Sequence, residues 1–233
     1  MDEQNINKKE QYDQQKGVEL TVLRRKKMRR RITFWLVVLV VLIGSVWGLA
    51  KVASRMPENS PVGAMDKVSG DDWVKGNPAA TNILIEYGDF QCPACRAYFP
   101  LVEQLVKEKG DRLQFIYRHF PLPQHKNAKP AAYASEAAGV QGKFWEMYQL
   151  IYEGQNNWKD VRDAKDIFVD YAKTLGLNLD DFKKDLGSDV IKSKVESQAK
   201  GGTQAGLNST PTFIFNGKRI QPQNYEEFSN LIP

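Results

Sequence analysis

Two cysteines, Cys92 and Cys95, are the only thiols in a chain of 233 residues. They lie in GDFQCPACRAYFP, residues 88–100, spaced Cys-x-x-Cys. That spacing serves a redox couple, half of a zinc site, or a structural bridge. Structural zinc takes four protein ligands, and here a third cysteine is missing. The two histidines, His119 and His125, lie six apart in a strand-to-loop stretch, which supports a metal site poorly. A structural bridge closing so short a loop would restrict the unfolded chain very little. The dithiol/disulfide couple fits best. Its chemistry is attack of a thiolate on a disulfide sulfur, a mixed disulfide, and release by the second thiol.

The elements around the pair suit that chemistry. Residues 82–87 (NILIEY) form a short β-branched run and predict a buried strand. Gly88-Asp89 breaks it. A helix then opens at the cysteines, with Pro93 in the first turn, where a missing N–H costs nothing. Leu101, Val102, Leu105 and Val106 mark its apolar face, Pro100 sits where a kink is expected, and Gly110 ends it. Residues 113–117 (LQFIY) predict a second strand, parallel to the first. Cys92 then faces the unpaired N–H groups and positive end of the helix, which favours thiolate. Cys92 is the expected attacker and Cys95, less exposed, the resolver.

The next ninety or so residues read as helical. Segments are expected at 128–140, 143–152, 164–175, 179–186 and 189–204. Residues 211–220 (PTFIFNGKRI) return to strand, with Asn216-Gly217 as a hairpin turn, and 225–232 closes with a short helix. The helical stretch is therefore an insertion rather than a separate domain.

The formal net charge is +5, but residues 24–31 (RRKKMRRR) hold seven positive side chains, leaving −2 for the rest. A nucleic-acid binder spreads Lys and Arg over a folded surface, so no nucleic-acid partner is expected. Directly after that run, residues 32–50 (ITFWLVVLVVLIGSVWGLA) carry no charge. At ~1.5 Å per residue they span ~28 Å, the thickness of a bilayer core. Trp35 and Trp47 stand near its ends, as interfacial aromatics do. The basic run places the N-terminus in the cytoplasm and the body outside, extracellular or periplasmic. A cleaved signal peptide ending at Gly48-Leu49-Ala50 is the rival, weakened by the length of the apolar run and of its polar leader. The expected organisation is a cytoplasmic tail at 1–31, a transmembrane signal-anchor at 32–50, a Pro/Gly-bearing linker at 51–76, and a folded domain at 77–233 with the insertion at about 127–204.

The domain resembles the DsbA-like branch of the thioredoxin superfamily, most closely its membrane-anchored bacterial members. The resemblance rests on Cys-Pro-Ala-Cys at a strand–helix junction. It rests further on Phe120-Pro121-Leu122-Pro123 followed by the alanine-rich helix and Gln141-Gly142-Lys143-Phe144-Trp145, and on residues 206–217 (GLNSTPTFIFNG). It implies an α/β thioredoxin-like fold with a helical insertion, after one N-terminal transmembrane helix. It implies that Thr210-Pro211 is a cis-proline loop beside the disulfide, and that Glu86 is a buried acid that helps move the proton of Cys95. By alternation along its strand Glu86 could instead face water. The catalytic set is then Cys92, Cys95, Thr210, Pro211 and Glu86, with no metal and no organic cofactor, because the disulfide is the reagent. The best-known oxidant of the family has His between its cysteines. Ala94 brings no charge, which implies a less acidic Cys92 and a weaker oxidant. Some anchored relatives bind calcium, but the acidic residues of the insertion are read here as solvated faces and caps.

The expected activity is a membrane-anchored thiol-disulfide oxidoreductase that introduces disulfides into exported proteins. A membrane redox partner of the DsbB-like or VKOR-like type would reoxidise it. The alternatives are an extracytoplasmic reductase or isomerase, and a non-catalytic tethered chaperone.

Overall fold

The computed structural model describes residues 67–232 and, ahead of them, Trp35. Contacts divide the chain into two units, Met1–Pro57 and Glu58–Pro233. The expected cytoplasmic tail, the membrane span at 32–50 apart from Trp35, and most of the linker lie outside the described residues. Among the described residues no helix is long and apolar enough to cross a membrane.

Five strands form one sheet in the order β1-β3-β2-β4-β5. They are β1 (Val74–Gly76), β2 (Asn82–Gly88), β3 (Leu113–His119), β4 (Thr212–Phe215) and β5 (Lys218–Ile220). β2 and β3 are parallel, joined by α1 (Pro93–Lys109). The other pairs are antiparallel. Between β3 and β4 come α2 (Ala128–Val140), α3 (Phe144–Glu153), α4 (Gln155–Trp158), α5 (Lys165–Thr174), α6 (Leu179–Leu186) and α7 (Asp189–Gln204). The chain closes with α8 (Tyr225–Asn230). This is the expected thioredoxin-like α/β arrangement with a helical insertion.

Several boundaries differ from the sequence reading. The ordered fold begins before Asn77, because Val74–Gly76, within the stretch read as linker, pairs with β3. Three residues are too short to show alternation. Trp73 stacks on Phe144 at 5.2 Å, while Trp145 Nε1 donates to Val74 O at 3.2 Å. β3 runs on to His119, because Arg118 and His119 find buried partners that a local reading cannot see. The four-residue α4 carried no periodicity to detect.

The strands alternate between two apolar clusters. Leu84, Phe115, Tyr117 and Phe213 face one side with Val102 and Leu105 of α1. Ile85, Tyr87, Ile116 and Ile214 face the other with Phe120 and Leu207. Each such fully buried side chain contributes about 1.5–3 kcal/mol. The period of two therefore sends Glu86 to the side of Leu84, toward the cysteine helix and away from water; it is 1% exposed. The hairpin turn is as expected, with Asn216 and Gly217 at φ 47° and 78°, the left-handed pair of a type I′ turn.

A buried carboxylate fastens the insertion to the sheet. Glu136 of α2 accepts from His119 Nε2 at 3.0 Å, Trp73 Nε1 at 2.9 Å and Lys194 Nζ of α7 at 2.8 Å.

Candidate active site

Cys92 is the N-cap of α1, with extended backbone (φ −69°, ψ 124°), and Pro93 follows it. That geometry aims Sγ at the first-turn N–H groups, which have no partner within the helix. Both cysteines are free thiols, Cys92 7% and Cys95 0% exposed.

The register brings the remaining predicted residues to the same sheet end. Tyr87 of β2 pairs with Thr212 of β4, so the loop before β4 lies at the carboxyl end of β2. Thr210-Pro211 in that loop is a cis peptide. Cys92 Sγ donates to Thr210 O at 3.4 Å, across 118 positions of sequence. Thr210 Oγ1 is buried without a hydrogen-bond partner, which leaves its hydroxyl available to the Cys92 thiolate. All five residues named from the sequence thus converge.

The two sulfurs are held in opposite states. The Cys92 thiol is lowered to about 5. The Cys95 thiol contributes most, against the cost of burial, followed by Thr210 and the backbone N–H groups of Cys95 and Ala94. The Cys95 thiol is pushed well up, by burial first, then by the Cys92 sulfur and the charge of Glu86. Glu86 is itself raised to about 8 by burial and secondarily by Cys92. Neither of its carboxyl oxygens has a hydrogen-bond partner. It faces Tyr117 across the parallel pair, and Tyr117 OH lies 3.0 Å from Tyr152 OH. The Tyr117 ring passes directly over Gly88, where an added Cβ would meet its Cε2 at 2.2 Å. Gly88 is therefore needed for this aromatic floor as well as for ending the strand.

Three polar residues outside the predicted catalytic set shape the cysteine loop. Gln155 Nε2 donates to Phe90 O at 2.7 Å and Cys92 O at 3.1 Å. Gln91 Oε1 accepts from Asn127 N at 2.7 Å, while its Nε2 donates to Lys159 O at 2.7 Å. Asp89, 1% exposed, accepts from Gln91 N at 2.7 Å, Leu122 N at 2.8 Å and His125 Nδ1 at 2.7 Å. Its own N–H donates to Cys95 Sγ at 3.5 Å. The histidines left without a role each meet a buried carboxylate, His125 Nδ1 that of Asp89 at 2.7 Å and His119 Nε2 that of Glu136 at 3.0 Å. No local signal marks such partners, which come from segments far apart in sequence.

Beside α1 an open groove of about 470 Å³ is lined by Pro93, Arg96, Ala97, Phe99, Pro100, Tyr152 and Glu153. Arg96 lies there rather than on Cys92. No cluster of three or more His, Cys, Asp or Glu suited to a metal ion occurs among the described residues.

An acidic thiol at a helix N-terminus, a buried partner thiol one turn on and a cis-proline loop beside the first thiol make a site suited to thiol-disulfide exchange. The family profile described as Thioredoxin matches residues 68–233. The chain belongs to the thioredoxin family. The oxidised BdbD structure from Bacillus subtilis is 25% identical, superimposes with a TM-score of 0.59, and is matched over 71% of this chain and 95% of that one. The alpha-DsbA1 structure from Wolbachia pipientis is 19% identical, with a TM-score of 0.63, over 74% of this chain and 94% of that one. The Na(+)/H(+) antiporter NhaA 1 of Mycobacterium sp. (strain KMS) is 35% identical over 77% of this chain. The chain spans 30% of that relative's length, so its name describes a much longer protein.

Proposed function

We propose that this oxidoreductase works as an oxidase: its Cys92–Cys95 disulfide passes to a dithiol on an exported protein. The observation that carries this reading is the placement of Cys92 Sγ at the start of α1, next to the Cys95 thiol and Thr210, which lowers its thiol to about 5. A thiolate stabilised in the reduced protein makes the disulfide eager to accept electrons. The substrate thiolate attacks Cys92 and Cys95 leaves; a second substrate thiol then attacks the mixed disulfide, and the enzyme is released with both cysteines reduced. In the reoxidising half-reaction the Cys92 thiolate attacks a disulfide of the accepting partner and releases one partner thiol; Cys95 then loses its proton to Glu86 and attacks Cys92 Sγ of the mixed disulfide, and the second partner thiol leaves. The cis-proline loop at Thr210-Pro211 offers backbone groups to the bound chain. The disulfide is itself the reagent, so no organic cofactor is required.

We further propose a single-pass anchor at 32–50 with the N-terminus in the cytoplasm. Its support is the uncharged run behind seven positive residues. The catalytic domain would then stand outside the cytoplasmic membrane of a bacterium. A DsbB-like or VKOR-like membrane protein would accept its electrons.

Equilibration with glutathione buffers tests the direction. A Cys92 thiol near 5 is less acidic than the ~3.5 of DsbA, so the expected potential lies between about −120 mV, as in DsbA, and about −180 mV, as in protein disulfide isomerase. A potential near the roughly −270 mV of thioredoxin would instead favour the reductase alternative.

A further inference from the structure

We propose that Asp89 and His125 form a positioning clamp that holds the Asp89 main-chain N–H on Cys95 Sγ and thereby governs how fast mixed disulfides are resolved. The inference rests on the redox reading of the cysteine pair.

Asp89 is an unusual place for a carboxylate. Its side chain is 0% exposed, two residues after β2 ends its pairing with Tyr87–Thr212 and three before Cys92. A buried carboxylate survives only with donors on its lone pairs. Here it has three, from two separate segments: Gln91 N on the cysteine loop, and Leu122 N and His125 Nδ1 on the loop after β3. The side chain therefore staples those loops together. The staple fixes the peptide plane whose N–H reaches Cys95 Sγ at 3.5 Å, while Asp89 O accepts from Cys92 N at 3.0 Å.

The N–H matters in one step. When Cys95 resolves a mixed disulfide, its S–H proton passes to Glu86 and the thiolate attacks the Cys92 sulfur. The bond between Cys92 and the bound thiol breaks, that thiol leaves as thiolate, and the Cys92–Cys95 bond forms. Electrons balance without an outside oxidant. The developing charge on Cys95 is buried, and burial is what pushes this thiol up; the Asp89 N–H opposes it. A preorganised donor costs nothing at the moment of reaction, whereas a loose peptide must first be ordered. The clamp thus acts on release by Cys95. Attack by Cys92 draws instead on Cys95, Thr210 and the first turn of α1. His125, whose side chain is 19% exposed, can be replaced with less disturbance of the core than Asp89.

The test uses the full chain, reduced and purified in detergent, mixed with oxidised glutathione. Acid quenching and intact mass follow the species carrying one glutathione. Asp89→Asn should prolong that adduct about tenfold, the equivalent of about one pK unit at Cys95. His125→Leu, which preserves bulk and the Leu122 bond, should prolong it by a smaller factor, and remains informative if Asp89→Asn does not fold. Formation of the adduct, and the 240 nm thiolate titration of Cys92, should match the parent in both. Release at the parent's rate in the folded variants would overturn the proposal. So would an equal slowing of formation and release, which marks general disruption of the site. A parent that forms neither adduct nor disulfide would overturn the redox reading, and this inference with it.

Discussion

Cys92 and Cys95 are three positions apart on one helix, yet their surroundings differ more than those of many distant residues. Cys92 caps α1 at the end of the sheet, with the Cys95 thiol, the Thr210 side chain and first-turn N–H groups about its sulfur. Cys95 lies one turn inside, above Glu86 and the Tyr117–Tyr152 pair, sealed from water. The same chemical group is consequently acidic in one place and reluctant to ionise in the other. A shared helix does not set reactivity here; the elements that face each turn do. The outer surroundings favour the thiolate, and the inner ones oppose ionisation.

Removing the inner sulfur breaks the comparison most completely. Cys95→Ala should abolish turnover and trap Cys92 in stable adducts with substrate thiols, visible on non-reducing gels. Because the Cys95 thiol is the largest contributor to the acidity of Cys92, its thiolate titration should also move from about 5 up toward the ordinary 9. An unmoved titration would show that the helix terminus alone sets it.

Glu86→Gln acts on the inner chamber alone. A carboxyl raised from 4.5 to about 8 binds more protons folded than unfolded between those values. Its folded protein therefore loses stability as pH rises through that window. The variant should be more stable than the parent above pH 8, by an upper bound on the order of 5 kcal/mol, and little different at pH 4. Denaturant midpoints at the two pH values measure this. Cys92 has the opposite sign: its lowered value adds stability to the reduced protein at alkaline pH, lost as pH falls through about 5. Unfolding of the Cys92→Ala variant across pH 5–9 would isolate that part.

Gly88→Ala probes the floor on which both sit. Its Cβ would fall within 2.7 Å of Tyr117 Cζ and OH, and overpacking of this kind costs roughly 1–3 kcal/mol. A thermal midpoint equal to the parent's would mean that the ring moves aside without cost. The smallest effect is expected from Thr210→Val, which keeps the carbonyl that meets Cys92 but removes the hydroxyl. It should raise the Cys92 titration by about half a unit, with turnover largely retained.

Much of this site was legible from residues alone, because its signals are local. The strand, the Gly88-Asp89 break and the proline after Cys92 announce a thiol at a helix start. The Asn216-Gly217 turn announces the hairpin that brings Thr210-Pro211 back. Resemblance to DsbA-like proteins supplied the roles of Pro211 and Glu86, which spacing could not. Val74–Gly76 escaped notice because three residues have no pattern, and Asp89 because an acid after a strand looks like any turn residue.

By itself the sequence determined the pair of thiols, the element that starts at the first of them, and the order of the longer strands and helices, since propensity, alternation and turn chemistry act over a few residues. Only the tertiary structure decided what each sulfur meets: Thr210 O at Cys92, the Asp89–His125 clamp below Cys95, and the dry side of the sheet for Glu86. Those contacts join segments tens of residues apart, and the charge a buried group can carry depends on its neighbours in space rather than along the chain.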